Sequence, residues 1–372
     1  MRSVWPFVLA AMLPILLSTS RCVAQVSPVV PNDPFFENQW GMKKIKTPEA
    51  WNIEKGNNSV IVAIVDTGVD YTHPDLKANM WISPDGSYGY DFVDNDNNPM
   101  DTHGHGTQVA GVVGAVADNG IGICGVAWKV GIMAVRVRAT LEMRYDMVAR
   151  GIRYAVDNGA RIINLSLLHG SGNYGDMRRA IDYAYGKGAL IVESAGNSNI
   201  ELESEPQILH DKVTYVAGAD RNDLKATSSS YGTRVDVCAP FYATTVGLNG
   251  TYVRERGGTS YSAPYVAGLA GLLLSHYPAL TNDQLRQCVR AAADNIDALN
   301  PRYSGKLGAG RINVYRALTE AVPVTVTTTI TESGTTRVTT ITTSIPEFSN
   351  VKVTASFTVL TILIVMSKRA MK

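Results

Sequence analysis

Residues 257–274 read GGTSYSAPYVAGLAGLLL: two glycines, the polar pair Thr259 and Ser260, then apolar residues with no polar stripe. The glycines let the backbone turn sharply, Thr259 and Ser260 favour a helix start, and Pro264 is expected in the first turn, where a missing N–H costs little. A helix that is apolar on every face belongs inside a domain. A hydroxyl at its start sits among unpaired backbone N–H groups at the positive end of the helix dipole, where a developing oxyanion would be stabilised. Ser260 is therefore a candidate nucleophile, although the same residue types also cap ordinary core helices.

A serine nucleophile needs a base, and the base needs an orienting acid. Residues 61–70, IVAIVDTGVD, are an apolar β-branched run that brings Asp66 to the carboxyl end of a buried strand. In residues 104–116, GHGTQVAGVVGAV, the glycine-flanked His105 opens a second apolar helix. His103 competes for the role of base but is expected in a solvated loop. His73 is expected to be structural.

The order Asp66, His105, Ser260, with VDTG at 65–68, HGTQVAG at 105–111 and GTSYSAP at 258–264, resembles the subtilisin-like serine proteases, from about Asn32 to Ala321. The flavour is thermitase-like: NDPFF at 32–36, HPDL at 73–76, DFVDNDNNP at 91–99 and KLGAGRINVYRAL at 306–318. The resemblance implies a serine endopeptidase in which Asp66 orients His105, His105 takes the proton of Ser260, and Ser260 forms an acyl-enzyme. It also implies that Asn197, in SAGNSN, supplies an oxyanion donor, and that Ser166, Leu167, Leu168, Ser194, Ala195 and Gly196 line the substrate site. Where the family usually carries two glycines after Ser-Leu, this chain has Leu168 and His169, and it has Phe241 where the family has Ala-Pro-Gly. Those side chains are expected to intrude on the pocket or to need extra volume. Two alternatives use the same residues: a binding protein that keeps the fold but has lost catalysis, and an esterase or acyltransferase.

Strands predicted at 61–66, 129–137, 162–167 and 190–194 alternate with helices from His105, over 145–158 and over 176–187. Short strands separated by helices give right-handed crossovers. The fold class is three-layer α/β/α with a mainly parallel central sheet. Catalytic groups should then gather at the carboxyl ends of the strands. Glu193 ends one of these strands, where an acid must be neutral or paired, and an edge or solvent contact is expected for it. Glu201, Glu203 and Glu205 form a polar run near the expected pocket, read mainly as a solvated charge run.

Interleaved Asp91, Asp94, Asp96 and Asn98 bring carboxylates together in one loop, where a hard cation such as calcium would relieve their repulsion, or where they simply form an acidic loop. The resemblance adds a second calcium site: Asp33, Asp75 and the Asn119 side chain, with carbonyls of Val116, Ile121 and Ile123, tying the amino-terminal arm to the body.

Residues 1–25 carry Arg2, an apolar run and small residues, the layout of a secretory signal. This places the chain in the secretory pathway, extracellular or at the cell surface. Residues 26–34 are too few for the prodomain that the resemblance implies, so the expectation is either folding without one or a sequence that is incomplete. A net charge of +1 gives no reason to expect a nucleic-acid partner; protein or peptide substrates and a monomer are expected. The mature part holds Cys124, Cys238 and Cys288, an odd number, so at least one stays free or pairs with another molecule. After a peptidase domain at 26–321, residues 322–350 are threonine-rich, as in a glycosylated stalk, though β-branched alternation also permits a strand. Residues 351–372 hold a short apolar run and a basic tail, read as a membrane anchor. Asn57, Asn164 and Asn249 lie in glycosylation sequons, with Asn164 expected to be buried.

Overall fold

The computed structural model describes residues 26–167, 170–204 and 209–320, with two further strands, Pro323–Glu332 and Thr335–Ser344, described by their backbone alone. The expected signal, the apolar run at 353–366, Leu168, His169 and Glu205 lie outside the described residues.

Two short helices, α1 (Trp40–Lys44) and α2 (Thr47–Ala50), precede β1 (Gly56–Asp66), β2 (Gly89–Asp91), α3 (His105–Gly114) and β3 (Lys129–Arg136). Then follow α4 (Tyr145–Asp157), β4 (Ile162–Leu165), α5 (Tyr174–Gly186), β5 (Leu190–Ser194), β6 (Val213–Ala219) and β7 (Val235–Pro240). These seven strands form one parallel sheet in the order β2-β3-β1-β4-β5-β6-β7. The antiparallel pair β8 (Tyr242–Val246) and β9 (Tyr252–Gly257) leads into α6 (Thr259–His276), and α7 (Asn282–Ala291) and α8 (Val314–Thr319) close the domain. The threonine-rich segment pairs with itself as an antiparallel hairpin, β10 (Pro323–Glu332) with β11 (Thr335–Ser344), the strand alternative that its alternation permits.

Side chains alternate across β1. Val62 and Ile64 join the core under α3 and α6, whereas Ala63 and Val65 join the core under α4 and α5. A strand apolar on both faces must be covered on both, which gives the three layers and the parallel sheet. β1 pairs with β3 on one side and β4 on the other, so the strand order reverses there. Loops leaving the carboxyl ends diverge at such a switch point and open a crevice. Asp66 is the last residue of β1 and stands at that crevice.

α6 is buried from Tyr261 to Leu274 without interruption, as a helix with no polar stripe requires. Pro264 falls beyond the first turn, because the helix begins at Thr259. Its missing N–H leaves the Ser260 carbonyl without a helical partner, and Ser166 Oγ donates to that carbonyl at 2.8 Å instead.

Candidate active site

β1 and α3 set the first pair of residues. His105 Nδ1 lies 2.9 Å from both Oδ1 and Oδ2 of Asp66, whose side chain is wholly buried. The helix start that carries His105 is fixed from below. Asp101 accepts from the N–H groups of His103, Gly104 and Thr107 and from Thr107 Oγ1, at 2.7–2.9 Å. Thr67 Oγ1 accepts from Gly106 N at 2.9 Å, and a Cβ on Gly106 would stand 2.1 Å from the Gly68 carbonyl oxygen, so only glycine lets α3 sit this close to β1.

Asp66 Oδ1 also accepts from Thr67 N at 2.7 Å and from Arg138 Nη2 and Nε at 2.8 and 3.2 Å. Burial would raise this carboxyl, but the neighbouring His105 ring and the Arg138 guanidinium, with their hydrogen bonds, outweigh it and hold Asp66 well below the usual carboxylate range. Sequence reasoning missed Arg138 and Asp101. Nothing in their spacing points to the centre, since Arg138 is brought there by β3 pairing beside β1.

Ser260 is the second residue of α6, and its hydroxyl lines the same cleft as His105. In the structure Ser260 Oγ donates to the Ser166 carbonyl at 3.4 Å, a long contact. Asn197 follows β5 and is exposed in the cleft. Its Oδ1 accepts from Thr259 N at 2.8 Å and from Thr259 Oγ1 at 3.1 Å. The Thr259 N–H can only donate, so the carbonyl of Asn197 must face it and the amide Nδ2 must face away. Gly258 joins β9 to α6 at φ 154°, and a Cβ there would stand 3.6 Å from Nδ2.

Ser166, Leu167, Ser194 and Gly196 line the cleft with His103, Gln108, Arg138, Leu141, Arg256 and Tyr261. Ala195 is buried beside them, its N–H donating to Val216. His103 is exposed, and His73 is held between Thr251 and Asp75. Phe241 is buried, and the room for its ring comes partly from Gly218, where a Cβ would stand 2.3 Å from the ring.

Glu193 corrects the expectation of an edge contact. It is 1% exposed on β5, between β4 and β6, and its Oε2 has no partner among the described residues. Burial pushes its carboxyl well above the ordinary range. The Glu201 carboxylate is taken by Lys306, and that of Glu203 by Thr233 and the Arg234 N–H; neither lines the cleft.

The expected metal ligands divide. Asp33 and Asp75 are buried, and among the described residues neither forms an ion pair with a basic side chain. Asn119 Nδ2 and Ile123 N donate to Asp75, and Asp118 N donates to Asp33. Burial pushes the Asp33 carboxyl up against the pull of the Asp118 and Asn119 N–H groups, and the negative charge of Asp75 adds to the rise. Two buried acids sharing one neighbourhood with no counter-charge fit a hard cation, provided that the Asn119 carboxamide, whose Nδ2 faces Asp75 here while its Oδ1 accepts from Ile121 N, turns its oxygen inward. The Asp91 loop differs. Arg136 Nη1 bonds both Asp91 and Asp94, Asp96 accepts from Asn98 N, and Asn98 accepts from Tyr71. The counter-charge expected from calcium in this loop is supplied by an arginine, so these residues do not fit a dedicated metal site. Val116, Ile121 and Ile123 lie in the segment beside Asp33 and Asp75: Val116 N donates to the Asp75 carbonyl, and the Gly122 carbonyl accepts from Phe35 N at 2.8 Å, which ties down the arm.

Among the described residues Cys124, Cys238 and Cys288 are free and buried. Asn164 is buried as expected, while Asn57, within β1, and Asn249 are exposed. Among the described residues no helix is long and apolar enough to cross a membrane.

A profile of the subtilase family matches residues 57–310. The chain belongs to the subtilase family. This subtilase is 41% identical over 293 residues to thermitase of Thermoactinomyces vulgaris, covering 77% of this chain and 99% of that one. It is 39% identical over 294 residues to a thermophilic serine proteinase of Bacillus sp. (strain AK1), covering 78% and 69%. Among solved structures it is similar to a protease of Pseudoalteromonas arctica, with a TM-score of 0.66, 29% identity, and coverage of 77% of this chain and 98% of that chain. The fold is that of subtilisin-like enzymes, and the protein is a subtilisin-like serine endopeptidase.

Proposed function

We propose that this subtilase cleaves peptide bonds through Asp66, His105 and Ser260, with Asn197 as an oxyanion donor. The observation that carries this is the contact of His105 Nδ1 with both oxygens of buried Asp66, in a cleft that also exposes the Ser260 hydroxyl. An ionised Asp66 favours the tautomer with hydrogen on Nδ1, leaving Nε2 as the base. Rotation about χ1 frees the Ser260 hydroxyl from the Ser166 carbonyl. Its proton passes to Nε2 as the oxygen attacks the scissile carbonyl. The oxyanion is met by Asn197 Nδ2 and the Ser260 N–H, which has no helical acceptor at that position. His105 then returns the proton to the leaving amine, the C–N bond breaks, and water hydrolyses the ester by the same relay. Ser166, Leu167, Leu168, Ser194, Ala195 and Gly196 form the substrate site.

Asp33, Asp75 and the Asn119 carboxamide, with carbonyls of Val116, Ile121 and Ile123, would hold calcium, which would neutralise the paired acids and anchor the arm. The protein acts as a monomer on protein or peptide substrates outside the cytoplasm, through the signal-like residues 1–25, and residues 351–372 anchor it. A fluorophosphonate probe tests the core of this proposal. Labelling of the protein that is abolished in Ser260→Ala supports it, and an unlabelled, folded protein rejects it in favour of a binding protein.

A further inference from the structure

The Asp66 carboxylate serves two cations. Its Oδ1 takes His105 Nδ1 and both the Nη2 and Nε groups of Arg138, so the guanidinium grips it as a fork from the side. The Arg138 side chain is 5% exposed, and its remaining nitrogen Nη1 donates to the Leu141 carbonyl at 3.2 Å. Arg138 Nη2 also stands 3.0 Å from His105 Nδ1. Both atoms carry hydrogens when Nδ1 donates to Asp66, so this approach is no hydrogen bond; two donors converge on one acceptor.

Resting on the triad proposed above, we infer that Arg138 is a positioning residue that fixes Asp66 against the His105 ring, carrying hydrolysis to more acid pH than an isolated Asp-His pair supports. A second fixed positive charge against the same carboxylate leaves less of its field for an imidazolium. Arg138 also keeps Asp66 ionised, so the acid still orients the ring at low pH. The other titratable groups around the ring are few. Tyr261 of α6 faces it with ring centroids 6.1 Å apart, Arg256 of β9 bonds Tyr261, and His103 lies exposed on the cleft rim. Among the described residues no other acid lines the cleft. Among the described residues Arg138 is thus the one cation in contact with both members of the Asp66–His105 pair.

The experiment is the pH dependence of fluorophosphonate labelling and of kcat/KM on a peptide substrate, in wild type, Arg138→Met, Arg138→Gln and Arg138→Lys. The neutral variants should move the acid limb up by about one pH unit, roughly tenfold in rate at a fixed pH on that limb. Arg138→Lys, which keeps the charge, should keep the limb near wild type. Arg138→Gln retains an N–H donor for Asp66 Oδ1, so it reads the same limb if Arg138→Met fails to fold. A folded neutral variant whose acid limb overlays the wild type overturns the inference, as does a Lys variant shifted as far as the neutral ones. Failure of the wild type itself to label is a different result and rejects the triad.

Discussion

Thr259 and Asn197 fix one another across the cleft: the Thr259 N–H and hydroxyl both meet Asn197 Oδ1, at 2.8 and 3.1 Å, and Thr259 Oγ1 accepts from Gly196 N at 3.0 Å. An exposed asparagine would ordinarily sample several rotamers. Here its oxygen is pinned by the residue immediately before Ser260, so Nδ2 is aimed before substrate arrives. Electrostatic stabilisation costs least when the donor needs no reorganisation.

Asn197→Ala should therefore lower kcat by about 100- to 1,000-fold with little change in KM. Thr259→Val, which leaves the amide present but loses one anchor, should lower kcat by a smaller factor. Steady-state kinetics on a peptide substrate check both. Equal losses in kcat and in substrate affinity would show that Asn197 shapes the ground state instead.

Asp33 and Asp75 are buried acids without a basic partner among the described residues, in the segment that ties the arm to the body. If calcium binds there, excess EGTA should lower the melting temperature by about 5 to 15 °C, the range expected for a ligand present at 100 to 1,000 times its Kd. Asp75→Asn should melt lower than wild type in calcium and show no further loss in EGTA. An EGTA response that survives in this variant would place the ion elsewhere, and differential scanning calorimetry reads both.

The sheet was legible because residues 60–65 of β1 and 190–192 of β5 are continuous apolar runs, as a strand covered on both faces requires. The ends of α4 and β3 fall within a residue of the periodicity. Contacts between residues far apart in sequence were not legible. Arg136 and Arg138 follow each other along β3 and its exit at a spacing of two, yet one meets the acidic loop and the other the Asp66–His105 pair. Which acid each arginine meets is fixed by β3 lying between β2 and β1, and no local pattern encodes it. Glu193 misled for the same reason. Its position at a strand end suggested solvent, whereas β5 lies inside the sheet and Tyr174 of α5 and Tyr215 of β6 lie beside the carboxyl.

Glu193 predicts a pH effect on stability. Its folded-state carboxyl titrates above the unfolded value of 4.5 because burial penalises the charge. Below that value both states are neutral; above it the unfolded chain releases the proton and the folded chain keeps it, so this residue makes stability fall as pH rises. Glu193→Gln removes the titration while keeping shape. The difference in melting temperature between variant and wild type should be near zero at pH 4 and grow in the variant's favour toward pH 8. A constant difference across that range would mean that the acid is already charged and paired in the folded protein.

Asp101 carries the last prediction. It stands just before α3, 4% exposed, and its two oxygens accept four hydrogen bonds from His103, Gly104 and Thr107. These N–H groups belong to the helix start, where the backbone has no intrahelical acceptor, and the carboxylate also sits at the favourable end of the helix dipole. Asp101→Ala leaves them buried and unpaired and should cost about 2 to 4 kcal/mol, read from the urea midpoint. His105 is the first residue of that helix, so losing the anchor should also let its ring drift from Asp66 and slow fluorophosphonate labelling. Asp101→Asn replaces one acceptor oxygen with a donor and so keeps one pair of bonds, either that of His103 and Gly104 or that of Thr107. It should fall between wild type and Asp101→Ala in both measurements. Lower stability with an unchanged labelling rate would show that Asp66 and Thr67 hold His105 in place without help from the loop before it.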